Sequence, residues 1–118
     1  MYDVEFYYDK SGRSEIVDYL DSLQGNSQNS RIRREKILAY IGALARYGTR
    51  IGMPYVEHID ADIWELRPLD NRIFFFYWRN NKFVLLHYFI KKTQKTPTKE
   101  IAKAKNNLKD FLERNDNI

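Results

Sequence analysis

One segment in the second half of the chain constrains the fold most strongly, because turn-forming residues separate three runs of β-branched and aromatic residues there. The turn-forming pairs are Asp70-Asn71 and Asn80-Asn81. Aspartate and asparagine tolerate the left-handed backbone conformation that tight hairpin turns require. The pattern therefore predicts a meander of three antiparallel strands. These strands are expected at about residues 63–69, 72–79 and 82–90.

Two-residue turns would also determine which side chains share a face of the sheet, because side chains alternate between faces along a strand. In this register Arg67 lies opposite Phe74, and Glu65 lies opposite Phe76. The face expected to pack on the core carries Trp64, Leu66, Ile73, Phe75, Tyr77, Val84, Leu86, Tyr88 and Ile90. The opposite, mixed face carries Glu65, Arg67, Arg72, Phe74, Phe76, His87, Phe89 and Lys91.

The first half of the chain predicts one strand and two helices. Residues 3–8 alternate between polar and apolar side chains, which is typical of a short edge strand. Ser14 is placed to cap a first helix, and a second helix is expected from about residue 30 to the residue before Gly48. The two helices form an antiparallel hairpin that packs on the core face of the sheet. A short extended segment is compatible with residues 55–59.

A last helix is expected at about residues 97–114, since Thr96 and Pro97 suit its N-cap and first position. The polar tail that follows, up to Ile118, is expected to fray. The predicted class is α+β, with an antiparallel sheet (an N-terminal edge strand plus the meander), the helical hairpin and the C-terminal helix. The 118 residues are expected to form a single domain with one modest core.

Composition limits the classes of function. The chain has no cysteine and two histidines, so we expect no disulfide and no metal site. It shows no apolar run of membrane-spanning length and no signal-peptide pattern. These features favour a cytoplasmic protein without a membrane partner. No nucleophilic triad or phosphate-binding glycine loop is apparent, and no cofactor is expected.

Positive charge is concentrated in the C-terminal part of the chain. The net charge is +4, and residues 91–109 contain seven lysines and one acidic residue. A second basic cluster spans residues 31–36. Clustered cations indicate a polyanion or an acidic partner, whereas the alternative is that they are solvated helix faces.

The mixed face of the meander concentrates groups that suit a nucleic acid. Arg67 and Arg72 are expected near one hairpin end, where Lys91, Lys92 and Lys95 also follow the last strand. Guanidinium groups match phosphate oxygens, and aromatic rings can stack on bases. Cations interleaved with phenylalanines therefore favour single-stranded RNA as a ligand.

Glu65 and His87 are the residues near these cations that can transfer protons close to neutral pH. Three alternatives stay open. In the first, Glu65 and Arg67 simply pair with neighbours on a solvated face. In the second, His87 is a structural residue. The phenylalanines of the mixed face would form a second small core beneath the last helix.

Four short segments form a combination that is specific to one protein family. They are residues 64–67 (Trp-Glu-Leu-Arg), 72–73 (Arg-Ile), 86–97 (Leu-His-Tyr-Phe-Ile-Lys-Lys-Thr-Gln-Lys-Thr-Pro) and 100–104 (Glu-Ile-Ala-Lys-Ala). With these segments the chain resembles the phage-derived RelE/HigB-like toxin family over nearly its whole length. The resemblance implies a RelE-like fold.

The resemblance also implies a function, as the toxin of a type II toxin–antitoxin system. Such a toxin is an mRNA endoribonuclease that usually acts on the ribosome, without a metal, by attack of the ribose 2′-hydroxyl on the scissile phosphate. Its partner would be a HigA-like helix-turn-helix antitoxin, through which alone it would contact operator DNA. The alternative is a non-nuclease of the same fold, either a ParE-like gyrase inhibitor or a binding module.

Eight residues are predicted to form the site, and the resemblance implies the roles of the two arginines and three lysines among them. Arg67 and Arg72 would hold the scissile phosphate and its transition state, and Glu65 or His87 would act as general base. The residues expected to bind the flanking RNA are Lys91, Lys92, Lys95 and Phe89.

Overall fold

The computed structural model describes residues 1–25 and 27–115. In this part of the chain, five strands form one sheet between two helical layers. The elements are β1 (Asp3–Phe6), α1 (Glu15–Ser22), α2 (Gln28–Tyr47), a 3₁₀ turn (Gly48–Ile51), β2 (Val56–Asp60), β3 (Ile63–Leu66), β4 (Asn71–Trp78), β5 (Lys82–Ile90) and α3 (Thr98–Asn115). No helix among these residues is long and apolar enough to cross a membrane. The last three residues of the predicted tail lie outside the described residues, whereas Arg114 and Asn115 are helical.

The sheet has the strand order β1-β5-β4-β3-β2, which confirms the α+β class. The pairs within β2 to β5 are antiparallel, but β1 runs parallel to β5, with Asp3 beside Lys82. The expectation of a wholly antiparallel sheet is therefore wrong for β1. Parallel neighbours need a long crossover, and here the helices and strands between β1 and β5 supply it. The segment near residues 55–59 proves to be a fifth strand on the far edge.

The ends of the helical hairpin follow the sequence signals. The Ser14 hydroxyl oxygen accepts a hydrogen bond from the Val17 N–H at 3.3 Å and caps α1. Helix α2 begins at Gln28 and is followed by Gly48, whose φ is +66°. A Cβ at Gly48 would lie 2.8 Å from the ring of Tyr2, so both the backbone conformation and the close approach favour glycine there.

Each face of the sheet buries its own apolar cluster. The cluster beneath α1 and α2 contains Ile16, Leu20, Leu23, Ile37, Leu44, Val56, Leu66, Ile73, Phe75, Phe83 and Leu85. The clusters beneath α3 contain Tyr7, Phe76, Val84, Leu86 and Phe111, and beside them Ile63, Phe74, Phe89 and Ala104. Helix α3 therefore covers the phenylalanines of the mixed face, as the second-core alternative anticipates.

A β-bulge corrects the predicted face of two residues in β5. Phe74 pairs with His87, but the next residue, Phe75, pairs with Leu85, so Leu86 is an extra residue in β5. As a result Val84 and Leu86 face α3, and the expectation that they face the helical hairpin is wrong. A bulge shifts the alternation of side chains on one strand only, and a period-two pattern does not reveal it.

The connection between β3 and β4 is longer than a two-residue turn. Strand β3 ends at Leu66 and β4 begins at Asn71, so Glu65 pairs with Phe74 instead of Phe76. The register differs by two residues, which keeps the side chains of β3 on their predicted faces. Residues 67–70 therefore form a loop, and Arg67 lies at its start.

Candidate functional site

An open cleft of about 590 Å³ lies where the β3–β4 loop meets the segment that follows β5. It is lined by Arg67, Leu69, Asp70, Arg72, Lys91, Lys92, Thr93 and Gln94. Four of these residues are cationic and one is acidic. We call this feature the cationic cleft.

Strand pairing brings the two sides of the cationic cleft together. Arg72 lies opposite Phe89 near the start of β4 and the end of β5. Beyond the last pair, the Lys91 N–H donates to the Asp70 carbonyl oxygen at 2.8 Å. The loop that carries Arg67 and the lysine segment are thus held side by side by the backbone.

The Arg72 guanidinium has a defined orientation. Its Nη1 donates to the carbonyl oxygens of Leu69 and Asn71, both at 2.8 Å. Its Nε lies 3.8 Å from Oε1 of Glu65, and its side chain is 12% exposed. Burial lowers the pKa of Arg72, although the neighbouring Glu65 carboxylate opposes this effect.

Arg67 is anchored on the other side of the cleft. Its backbone N–H donates to the Tyr55 carbonyl oxygen at 2.9 Å, and Nη1 donates to Oε2 of Glu57 at 3.1 Å. Its Nε lies 3.7 Å from Oε1 of Glu65, and its side chain is 20% exposed. Arg67 is therefore more accessible than Arg72 and is shared between two carboxylates.

Glu65 lies behind both arginines and is completely buried, with a relative exposure of 0%. Among the residues that the structure describes, neither of its carboxylate oxygens accepts a hydrogen bond. Burial raises the pKa of Glu65, while the charges of Arg72, Lys91 and Arg67 act in the opposite direction. Its geometry suits holding two guanidinium groups together, because one carboxylate oxygen, Oε1, lies within 3.8 Å of both.

Four of the residues predicted for the site do not line the cleft, namely Glu65 behind the arginines and, elsewhere, His87, Phe89 and Lys95. His87 is 5% exposed, and its Nε2 lies 2.7 Å from Oε1 of Glu100 on α3. Phe89 is 8% exposed and packs against Phe74 beneath α3, so it offers no surface for stacking on a base. Lys95 is exposed in the segment between β5 and α3 but is not part of the lining. The expectations that His87 shares the site with the arginines and that Phe89 contacts RNA are therefore corrected.

Sequence reasoning missed the residues that support the cleft from the helical hairpin. Arg33 of α2 forms an ion pair with Asp70, and the Tyr19 hydroxyl of α1 donates to Oδ1 of Asn71 at 2.6 Å. Arg33 stood out only as part of a basic cluster, and Asn71 only as a turn residue. Neither signal reports a contact with a residue 37 or 52 positions away.

The arrangement combines two anchored arginines and two lysines around a space that is open to solvent. Arg67 and Arg72 present planar hydrogen-bond donors whose positions are set by carbonyl and carboxylate oxygens. Lys91 and Lys92 add charges on flexible stems. Such a group of donors suits an anion with several oxygens, of which a phosphodiester is the commonest polymeric form.

Comparison with protein families shows the family to which the chain belongs. A family model described as "Phage derived protein Gp49-like (DUF891)" matches residues 10–109, which include the whole cationic cleft. A search among curated proteins found no match. With most of its length matched, the chain belongs to the phage-derived Gp49-like family, which is a family of RelE/HigB-like toxins.

Proposed function

We propose that this protein is the toxin of a type II toxin–antitoxin module and that it is an endoribonuclease acting on mRNA at the ribosome in the cytoplasm. The observation that carries the proposal is the convergence of Arg67, Arg72, Lys91 and Lys92 on one open cleft. Family membership supports the toxin role. The cleft supports RNA as substrate, because four cations line a groove that a polymer can enter from solvent.

The proposed reaction needs no metal. The ribose 2′-oxygen loses its proton and bonds to the adjacent phosphorus, and the bond to the 5′-oxygen breaks as that oxygen gains a proton. Charge accumulates on the non-bridging phosphate oxygens in the transition state. Arg72, whose position is set by two carbonyl oxygens, and Arg67 are assigned to these oxygens. One well-placed donor of this kind is worth about 3–4 kcal/mol of barrier.

Glu65 is assigned to orient the arginines and not to accept the 2′ proton, since its carboxylate is buried behind them. His87 contacts Glu100 on the α3 side of the sheet and is assigned a structural role. The proposed rate enhancement therefore comes mainly from electrostatic stabilisation and positioning of the phosphate.

The lysines and one apolar side chain complete the proposed RNA contacts. Lys91 and Lys92 are assigned to phosphates that flank the scissile one, and Lys95 extends this track towards α3. Leu69 is an exposed apolar side chain at the cleft and offers a surface to a ribose or base. It takes the place that the sequence assigned to Phe89.

The proposed partner is a cognate HigA-like helix-turn-helix antitoxin, through which the complex would contact operator DNA. This part of the proposal is supported by the resemblance and by the family alone. Co-expression of the toxin with the adjacent open reading frame, followed by co-purification, tests it directly.

The experiment that tests the catalytic proposal is induction of wild type and variants, followed by primer extension on cellular mRNA. The same measurement is made on purified RNA with and without ribosomes. Arg67→Ala and Arg72→Ala are each expected to lose growth arrest and detectable cleavage of cellular mRNA, and to slow cleavage of purified RNA by about 10²- to 10³-fold. The matched control is Arg46→Ala, an exposed arginine in the last turn of α2. Thermal unfolding of each variant separates lost chemistry from lost folding.

Two outcomes would refute the proposal. Cleavage that persists in both single variants would remove the arginines from the active site. Growth arrest with intact mRNA and altered DNA supercoiling would identify a gyrase inhibitor of the same fold instead.

A further inference from the structure

We propose that Tyr19 and Asn71 are positioning residues for Arg72, so that helix α1 sets the geometry of the cationic cleft from behind the sheet. The inference rests on the proposed function, because it assigns Arg72 to the reacting phosphate. It names two residues to which the sequence attached no role in the site, one of them on another element.

Asn71 is the centre of this arrangement. It is fully buried, and its side-chain amide links α1 to the β3–β4 loop. The Oδ1 atom accepts a hydrogen bond from the Tyr19 hydroxyl at 2.6 Å, and Nδ2 donates to the Pro68 carbonyl oxygen at 3.1 Å. The backbone N–H of Asn71 donates to the same carbonyl oxygen at 3.0 Å. The amide therefore closes the loop and fastens it to α1.

The β3–β4 loop and the first residue of β4 supply the two acceptors of Arg72. Nη1 of Arg72 donates to the carbonyl oxygens of Leu69 and Asn71. The hydrogen bond from the Asn71 amide to the Pro68 carbonyl oxygen fixes the backbone at these same residues. A change in the loop conformation would therefore displace both acceptors together. Arg67 takes its contacts from Glu57 and Tyr55 instead, so its position does not depend on this amide in the same way.

Tyr19 is well suited to hold the amide. Its ring stacks on Tyr88 with centroids 4.2 Å apart and an interplanar angle of 10°. Burial raises the pKa of Tyr19, although Arg33 opposes this effect. The hydroxyl therefore stays protonated and donates a hydrogen bond to Oδ1 of Asn71. Arg33 also forms the ion pair with Asp70, which supports the neighbouring loop residue from α2.

The test is Tyr19→Phe, which removes the hydroxyl and keeps the stacked ring. The matched control is Tyr88→Phe, because within the described residues the Tyr88 hydroxyl makes no hydrogen bond. Single-turnover cleavage of a short mRNA bound to ribosomes gives the rate of the chemical step. A variant of that RNA with a 2′-O-methyl group at the scissile position gives the affinity. Tyr19→Phe is expected to slow cleavage about 3- to 10-fold, the effect of one hydrogen bond, with affinity changed less than about 2-fold. Tyr88→Phe is expected to match wild type.

A double-mutant cycle separates positioning of Arg72 from a general loss of structure. In the Arg72→Ala background, Tyr19→Phe is expected to have no further effect on the cleavage rate, because its action passes through Arg72. An equal slowing in both backgrounds, or no slowing in wild type, would overturn the inference.

A readout that is independent of activity distinguishes failure of this inference from failure of the proposed function. Nitrogen-15 relaxation of the Arg72 Nε–H, assigned by its loss in Arg72→Lys, reports the order of the side chain in the free protein. Tyr19→Phe is expected to lower that order while Tyr88→Phe leaves it unchanged. Unchanged order in Tyr19→Phe would refute the positioning role. Absence of RNA cleavage by the wild type, with the order lost as expected, would refute only the proposed function.

Discussion

Replacement of Arg72 by alanine is expected to destabilise the fold mainly through Glu65. The Glu65 carboxylate is completely buried, and its Oε1 lies 3.8 Å from Nε of Arg72 and 3.7 Å from Nε of Arg67. It makes no hydrogen bond to the described part of the chain. Its charge is therefore compensated by the two guanidinium groups, and Arg72→Ala leaves it with one.

The expected magnitude follows from these distances. Two unit charges 3.8 Å apart attract each other by about 4 kcal/mol at an effective dielectric constant of 20. Removing one partner of a buried pair typically costs about 3–5 kcal/mol. Since Arg67 remains close to Glu65, we expect the lower end of that range, about 3 kcal/mol, for Arg72→Ala. In an E65Q background, only the two hydrogen bonds and the packing of Arg72 are lost, so the cost falls to about 1 kcal/mol.

The assay is equilibrium unfolding in urea, followed by the fluorescence of Trp64, which adjoins Glu65 in β3, together with that of Trp78. Wild type, Arg72→Ala, Glu65→Gln and the double variant form a cycle whose coupling free energy is expected to be about 2 kcal/mol. The exposed Arg46→Ala is the control and should change the free energy of unfolding by less than about 0.5 kcal/mol. Additive effects, with Arg72→Ala costing the same in both backgrounds, would show that Glu65 does not depend on Arg72 and would refute the reasoning.

Three further predictions concern pH and backbone conformation. Burial raises the pKa of Glu65 from its ordinary value of 4.5, so the folded state favours the protonated carboxyl. The stability contributed by Glu65 is therefore fully present below pH 4.5 and is lost as pH rises through the folded-state pKa. Urea unfolding across pH should show this loss in wild type and not in Glu65→Gln. Burial, with the hydrogen bond to Asp110, raises the pKa of Tyr7 from 10.0 to about 12, so stability from this group is present below pH 10.0 and lost as pH rises through about 12. Titration of carbon-13-labelled tyrosines should show a resonance that titrates near pH 12 and that Tyr7→Phe removes. Gly48→Ala is expected to lower the free energy of unfolding by about 1 kcal/mol or more, because the new methyl would lie 2.8 Å from the Tyr2 ring at a φ of +66°. Thermal unfolding measures this change, and an unchanged midpoint would contradict the prediction.

The local elements of this protein were predictable because their signals are local. The Ser14 cap, the end of α2 before Gly48 and the start of α3 after Pro97 are determined by residues within a few positions of each boundary. The cationic cleft was partly predictable for the same reason. Arg72 sits at the start of β4 and Lys91 just after β5, so an antiparallel pair brings them to one end of the sheet.

The packing of helices on both faces of the sheet decided the orientation of side chains that the sequence pattern did not reveal. Val84 and Leu86 both face α3 because Leu86 is an extra residue at a bulge in β5, which shifts the alternation of side chains. An alternating sequence pattern does not reveal such an extra residue. Phe89 and His87 were assigned to the RNA face because the sequence could not determine whether α3 covers it.

The amino-acid sequence by itself determined most of the strands and helices and indicated that Arg72 and Lys91 meet at the end of β4 and β5. The tertiary structure alone decided that Glu65 is buried behind Arg67 and Arg72. It also decided that Tyr19, 52 positions from Asn71, supports the loop of the cleft. The physical reason is that periodicity and capping act over a few residues, whereas burial and long-range hydrogen bonds depend on how separate elements pack.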